Sequence, residues 1–121
     1  MSLRSSDVFA PRRTRGKPER SVQRAILRYL RVTGCLVAVT DAGAAYRAGS
    51  FGGDAVPAGW PDITGLLPNG RFIGVECKAQ RGRQSPVQKH VEQEIRRRNG
   101  VYVLARSVDD VEKEIRDALQ G

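Results

Sequence analysis

Asp62, Glu76 and Lys78 form the sharpest chemical pattern in the chain. Asp62 follows Gly59-Trp60-Pro61 at the start of one apolar run, and Glu76 and Lys78 lie at the end of the next, with Pro68-Asn69-Gly70 between the runs. Residues two apart on a strand share a face. Glu76 and Lys78 therefore point the same way as Phe72 and Gly74, while Ile73, Val75 and Cys77 make the opposite face wholly apolar. Charges on a strand that otherwise reads as buried are costly unless they pair or bind a metal. Convergence of Asp62 and Glu76 would offer hard oxygen ligands to Mg²⁺ or Mn²⁺, with backbone carbonyls and water completing the shell. Such an ion beside a polyanion suits phosphodiester hydrolysis, and Lys78 would orient water or stabilise charge in the transition state. Spacing alone also allows a plainer arrangement, with Asp62 as a turn residue and Glu76 and Lys78 as an ion pair on a solvated edge.

The charge balance bears on the partner. The 121 residues carry 21 Lys+Arg against 13 Asp+Glu, a net charge of +8. Six basic groups fall in residues 1–20 and eight in residues 71–98, whereas residues 107–121 hold five acidic groups against two basic ones. A polyanion meeting the middle and the N-terminus fits this distribution, as does a charge that only aids solubility. No apolar run approaches the roughly 18 to 20 residues of a membrane span, so a soluble, cytoplasmic protein with no membrane partner is expected. Two distant cysteines, Cys35 and Cys77, and one histidine, His90, argue against a disulfide framework, a structural zinc site or a histidine-rich triad. Both cysteines read as small buried hydrophobes and His90 as a mid-helix surface residue.

These residues need a scaffold to position them. Residues 1–17 read as a disordered basic arm and 18–121 as one domain. A helix is expected to begin near Pro18, with Val22, Ala25, Ile26, Tyr29 and Leu30 on its apolar face, and to end before Gly34. Cys35–Thr40 reads as a strand, and residues 41–60 as a long functional or mobile connection. The two runs around Asn69-Gly70 read as an antiparallel hairpin. Ser85-Pro86-Val87-Gln88 is a capping box that opens a helix with Val87, Val91 and Ile95 buried, closed by Asn99-Gly100. Val101–Ala105 reads as a strand, and Ser107 opens a last helix with Val108, Val111, Ile115 and Leu119 facing inward. The order α-β-β-β-α-β-α implies an α/β fold with a mixed sheet flanked by helices, because the last strand-helix-strand unit makes its two strands parallel.

Asp62, the 13-residue gap after it and Glu76-Cys77-Lys78 resemble the core of the PD-(D/E)XK nucleases. The wider phrase from Pro61 to Lys78, the Gly82–Gln88 segment and the run from Gly100 to Val111 resemble the VRR-NUC branch of that superfamily. The resemblance runs from about Glu19 to Leu119. It implies a restriction-endonuclease-like core and a Mg²⁺- or Mn²⁺-dependent endonuclease acting on DNA. Asp62, Glu76 and the backbone carbonyl of Cys77 would be metal ligands, and Lys78 the catalytic lysine. Gln88 would lie beside the active site, and Glu19, four residues before Gln23, would help hold metal or water from the first helix. For Gln88 the plainer role is the partner of Ser85 in the capping box, and for Glu19 a first-turn acid that suits the helix dipole. Stand-alone members of this branch tend to be homodimers that cut branched DNA such as four-way junctions, so a junction-resolving homodimer is expected. A restriction-like or modification-dependent nuclease and a non-catalytic binding protein on the same scaffold are the alternatives. Arg47, Arg81, Arg83 and Lys89 flank the site in sequence and are candidates for phosphate contacts. Tyr46 and Trp60 are candidates for stacking on an unpaired base, though Trp60 beside Pro61 also reads as a core residue.

Overall fold

The strand that carries Glu76 organises the molecule. In the computed structural model, which describes residues 11–40 and 56–120, this strand is β3, Phe72–Cys77. It follows α1 (Pro11–Val32), β1 (Leu36–Val39) and β2 (Ile63–Leu66), and precedes α2 (Pro86–Arg97), β4 (Val101–Ala105) and α3 (Val108–Gln120). The strands form one four-stranded sheet in the order β1-β2-β3-β4, with β3 interior. The first two pairings are antiparallel and the third is parallel, as a strand-helix-strand crossover requires. The element order is the expected α-β-β-β-α-β-α.

Local chemistry explains where the elements stop. The β2–β3 hairpin closes through a three-residue loop, with the Leu67 N–H donating to the Arg71 carbonyl at 2.8 Å and the Gly70 N–H to the Leu67 carbonyl at 2.8 Å. Pro68 suits the first corner of a type I turn, and Gly70 supplies the left-handed residue at φ +90°, so Gly70 alone of the Asn69-Gly70 pair turns left-handed. Helix α2 opens with the capping box: the Gln88 N–H donates to Ser85 Oγ and the Ser85 N–H to Gln88 Oε1. It closes on Asn99 at φ +68°, with the Gly100 N–H reaching the Ile95 carbonyl and the Asn99 N–H the Arg96 carbonyl. Helix α1 closes in the same way on Gly34, through Cys35 N–H to Leu30 and Gly34 N–H to Arg31.

Helix α1 starts at Pro11, not near Pro18. Pro11 satisfies the first-turn requirement as well as Pro18 does, and Arg12, Arg13, Arg15 and Lys17 are good helix formers. Residues 11–17 of the expected disordered arm are thus helical, and residues 1–10 lie outside the described residues.

The sheet has unlike faces. Ile73, Val75 and Cys77 of β3, with Ile63, Val101, Val103 and Ala105, pack under α1 through Ile26 and Leu30 and under α3 through Val111 and Ile115. On α3 the inward residue near the end is Ala118, and Leu119, expected to face inward, is exposed. The other face carries a smaller cluster of Val91 and Ile95 from α2 over Tyr102, flanked by Trp60, Phe72 and Leu104. Val87, expected in the buried stripe of α2, is exposed because it stands in the helix's first turn at the margin of this cluster. Ala25, expected on the apolar face of α1, is also exposed.

Candidate active site

Asp62 and Glu76 meet through the hairpin register. Ile63 is opposite Val75, so one step further places Asp62 beside Glu76. The Cys77 N–H donates to Asp62 Oδ2 at 2.9 Å, which locks the aspartate side chain against the end of β3. The Asp62 backbone is held from the other side, where the Thr40 N–H donates to its carbonyl at 2.7 Å. Thr40 Oγ1 also donates to the Pro61 carbonyl, and it lies 3.0 Å from Thr64 Oγ1. Pro61 packs against Gly74, where a Cβ would come within 2.9 Å of the proline ring. Each of these contacts fixes the segment that delivers Asp62.

Both carboxylates are buried, with Asp62 at 4 % and Glu76 at 1 % exposure. They are the only buried charged residues among the described residues, so Glu76 and Lys78 do pair, but not on a solvated edge. Glu76 Oε2 accepts from Gln88 Nε2 at 2.9 Å and has Lys78 Nζ at 3.5 Å. Lys78 is largely covered, its stem lying against Gly82, where a Cβ would meet Lys78 Cδ at 3.2 Å. Gln88 therefore serves the capping box and the site at once, through its Oε1 and Nε2 respectively.

The oxygen-rich pair of Asp62 and Glu76, sunk in a sheet whose opposite face is apolar, fits a hard divalent cation by its donor chemistry. Desolvating two neighbouring carboxylates costs several kcal/mol each, a cost that Lys78, the Gln88 amide and the Cys77 N–H help to offset. Glu19 is half-buried on α1, and among the described residues no three of His, Cys, Asp and Glu gather into a metal-ligating group.

Helix α2 is pinned so that Gln88 reaches Glu76. Gln84 Nε2 donates to Glu92 Oε1 at 2.9 Å and to the Tyr102 hydroxyl at 3.0 Å. Arg96 donates to Glu92 Oε2 and to the Tyr102 carbonyl, and its guanidinium sits 5.9 Å from the Tyr102 ring centre. Burial pushes the Tyr102 phenol well above its ordinary pKa, so the hydroxyl stays neutral and acts as a structural hydrogen-bonding group.

Beside the site, Arg81, Arg83 and Lys89 line one open depression with Gln80, Gln84 and Arg106, with no acidic residue among them. Arg106 is a residue that sequence reasoning missed. It follows β4, and the parallel register places it next to the end of β3, where its Nη1 donates to the Ala79 carbonyl at 3.0 Å. Trp60 packs edge-on against Phe72 at 6.1 Å between ring centres. Arg47 and Tyr46 lie outside the described residues, and His90 is exposed on α2.

A solved VRR_NUC domain protein superposes on this arrangement with a TM-score of 0.57, covering 84% of this chain and 88% of that one at 19% sequence identity. The chain has the VRR_NUC fold. No family model and no curated protein matches the sequence. At this identity the likeness establishes the fold, and within the VRR_NUC fold Asp62, Glu76, Lys78 and Gln88 stand together. No helix among the described residues is long and apolar enough to cross a membrane.

Proposed function

We propose that this protein is a Mg²⁺- or Mn²⁺-dependent, structure-selective DNA endonuclease. The observation that carries the reading is the buried pair Asp62 and Glu76, side by side at the ends of β2 and β3, with Lys78 and Gln88 on the same carboxylate. Asp62, Glu76 and the Cys77 carbonyl would hold the ion, and Glu19 on α1 is a further candidate. A divalent ion bound there supplies Lewis-acid polarisation of a phosphate and a water acidic enough to attack near neutral pH.

The protein's own groups do the rest. Gln88 fixes the rotamer of Glu76, and its capping box makes that amide rigid. Lys78, 3.5 Å from Glu76, is close enough to follow the carboxylate's charge and to hold a water or a phosphate oxygen once substrate arrives. Arg81, Arg83, Lys89 and Arg106 grip the backbone beside the cut without reading bases. Arg47 is a further candidate for that grip. A homodimer with two such sites would account for paired incisions in a four-way junction.

The test is purified protein with Mg²⁺ or Mn²⁺ against single-strand, duplex, flap, nicked and four-way DNA, in parallel with Asp62→Ala and Lys78→Ala. Metal-dependent cutting of a branched form by the natural protein and none by either variant is expected, with DNA binding retained. Full cleavage by either variant sinks the mechanism.

A further inference from the structure

The same sheet face continues past the carboxylates into an apolar groove of about 620 Å³, whose lining includes Pro57, Trp60, Phe72, Val87, Ile95 and Arg98. Its walls are the chain neighbours of the site. Trp60 lies two residues before Asp62, Phe72 four before Glu76 on the same strand face, and Val87 directly before Gln88. At about 3.3 Å per residue, the Phe72 end stands roughly 13 Å along β3 from Glu76, on the scale of the nucleotides flanking a cut phosphate. A close backbone contact joins two of its walls. Gly59, at φ +84°, lets the backbone approach Val87 so closely that a Cβ would come within 2.7 Å of its carbonyl.

The lip carries an ion cluster. Glu94, which also lines the groove, is shared by Arg98 of the lining, Nη1 at 2.6 Å, and by Arg97, which does not line it, Nη2 at 2.7 Å, so the three side chains leave one positive charge in excess. An aromatic and aliphatic floor beneath this cluster suits one ligand chemistry in particular, a flat π-face joined to a phosphate.

We propose that this groove receives an unstacked nucleobase of the substrate, next to the nucleotide whose phosphate is cut, and so selects DNA with unpaired bases. The base lies on the floor between Trp60 and Val87, and its phosphate is met by Arg98. This inference rests on the nuclease reading and adds a source of structure selectivity to it.

The experiment measures binding in EDTA, independently of cleavage, with the full chain and two DNAs: a duplex containing 2-aminopurine in a short unpaired bulge, and the same duplex fully paired. The natural protein is expected to change the fluorescence of the bulged analogue and to prefer the bulged DNA. Val87→Trp fills the groove from an exposed helix position, so folding, checked by thermal melting, is retained. It is expected to reduce the preference, as a ratio within each variant, by about fivefold or more. Trp60→Phe should keep more of the ratio than Trp60→Ala. An unchanged ratio in Val87→Trp overturns the groove while leaving the nuclease reading intact, and so does a Val87→Trp chain whose only change is its oligomeric state. A natural protein that binds neither DNA in EDTA overturns the groove, and the nuclease reading is decided separately by cleavage with Mg²⁺ or Mn²⁺.

Discussion

The two faces of β3 are built from alternate residues of one hexapeptide, yet they obey opposite rules. Ile73, Val75 and Cys77 are completely buried beneath two helices. Phe72, Gly74 and Glu76 face a single helix, and the carboxylate among them is buried as deeply as the hydrophobes behind it. One face therefore holds the fold together, and the other buries a charge at a cost in stability, which the proposed nuclease role would explain. Their difference teaches where substitution should uncouple stability from activity.

The largest effect is expected on the charged face. Glu76→Gln is nearly isosteric and removes a desolvated charge, so it should reduce cleavage by about 10³-fold without lowering the melting temperature. Ile73→Ala on the opposite face should do the reverse. It opens a cavity in the main core, costs about 2–5 kcal/mol in denaturant unfolding, and leaves the rate per folded molecule near that of the natural protein. If Glu76→Gln destabilises as much as Ile73→Ala, the carboxylate is a structural group and the contrast between the faces fails.

A finer division runs through Gln88, whose two ends serve the two purposes. Ser85→Ala removes the hydroxyl that accepts the Gln88 N–H, and should cost about 1 kcal/mol of stability with cleavage preserved. Gln88→Ala also removes the amide held against Glu76, and should lower cleavage by about 10- to 100-fold at a similar cost in stability. Equal activity in the two variants would show that Gln88 acts only as a cap.

The features legible in the sequence are those written in short-range chemistry. The hairpin loop sets the register that brings Asp62 to Glu76, and the capping box sets where α2 begins, so the resemblance and the local signals agreed on the same four residues. What stayed hidden depends on long-range placement. Arg106 joins the basic depression only because β4 lies parallel to β3, and Tyr102 becomes a buried anchor only once α2 covers it. Periodicity likewise does not distinguish Leu119 from Ala118, since both lie near the edge of an amphipathic stripe, and the crossing of α3 over the sheet decides which is buried. The start of α1 is misplaced near Pro18 for a different reason, because Pro11, where the helix begins, satisfies the same first-turn rule.

The smallest effect lies at the outer margin of the charged face, where Arg97 and Arg98 hold Glu94. Their hydrogen bonds lower the Glu94 carboxyl from its ordinary value of 4.5 to about 2. A depressed carboxyl adds stability in full above its ordinary pKa and loses it as the pH falls toward the folded value. The melting-temperature difference between the natural protein and Glu94→Gln should therefore be constant above about pH 5 and shrink between pH 4.5 and 2. Because the carboxylate is solvent-exposed, the difference should be small and fall further in high salt. A difference that instead persists to pH 2 would place the contribution of Glu94 in packing rather than charge.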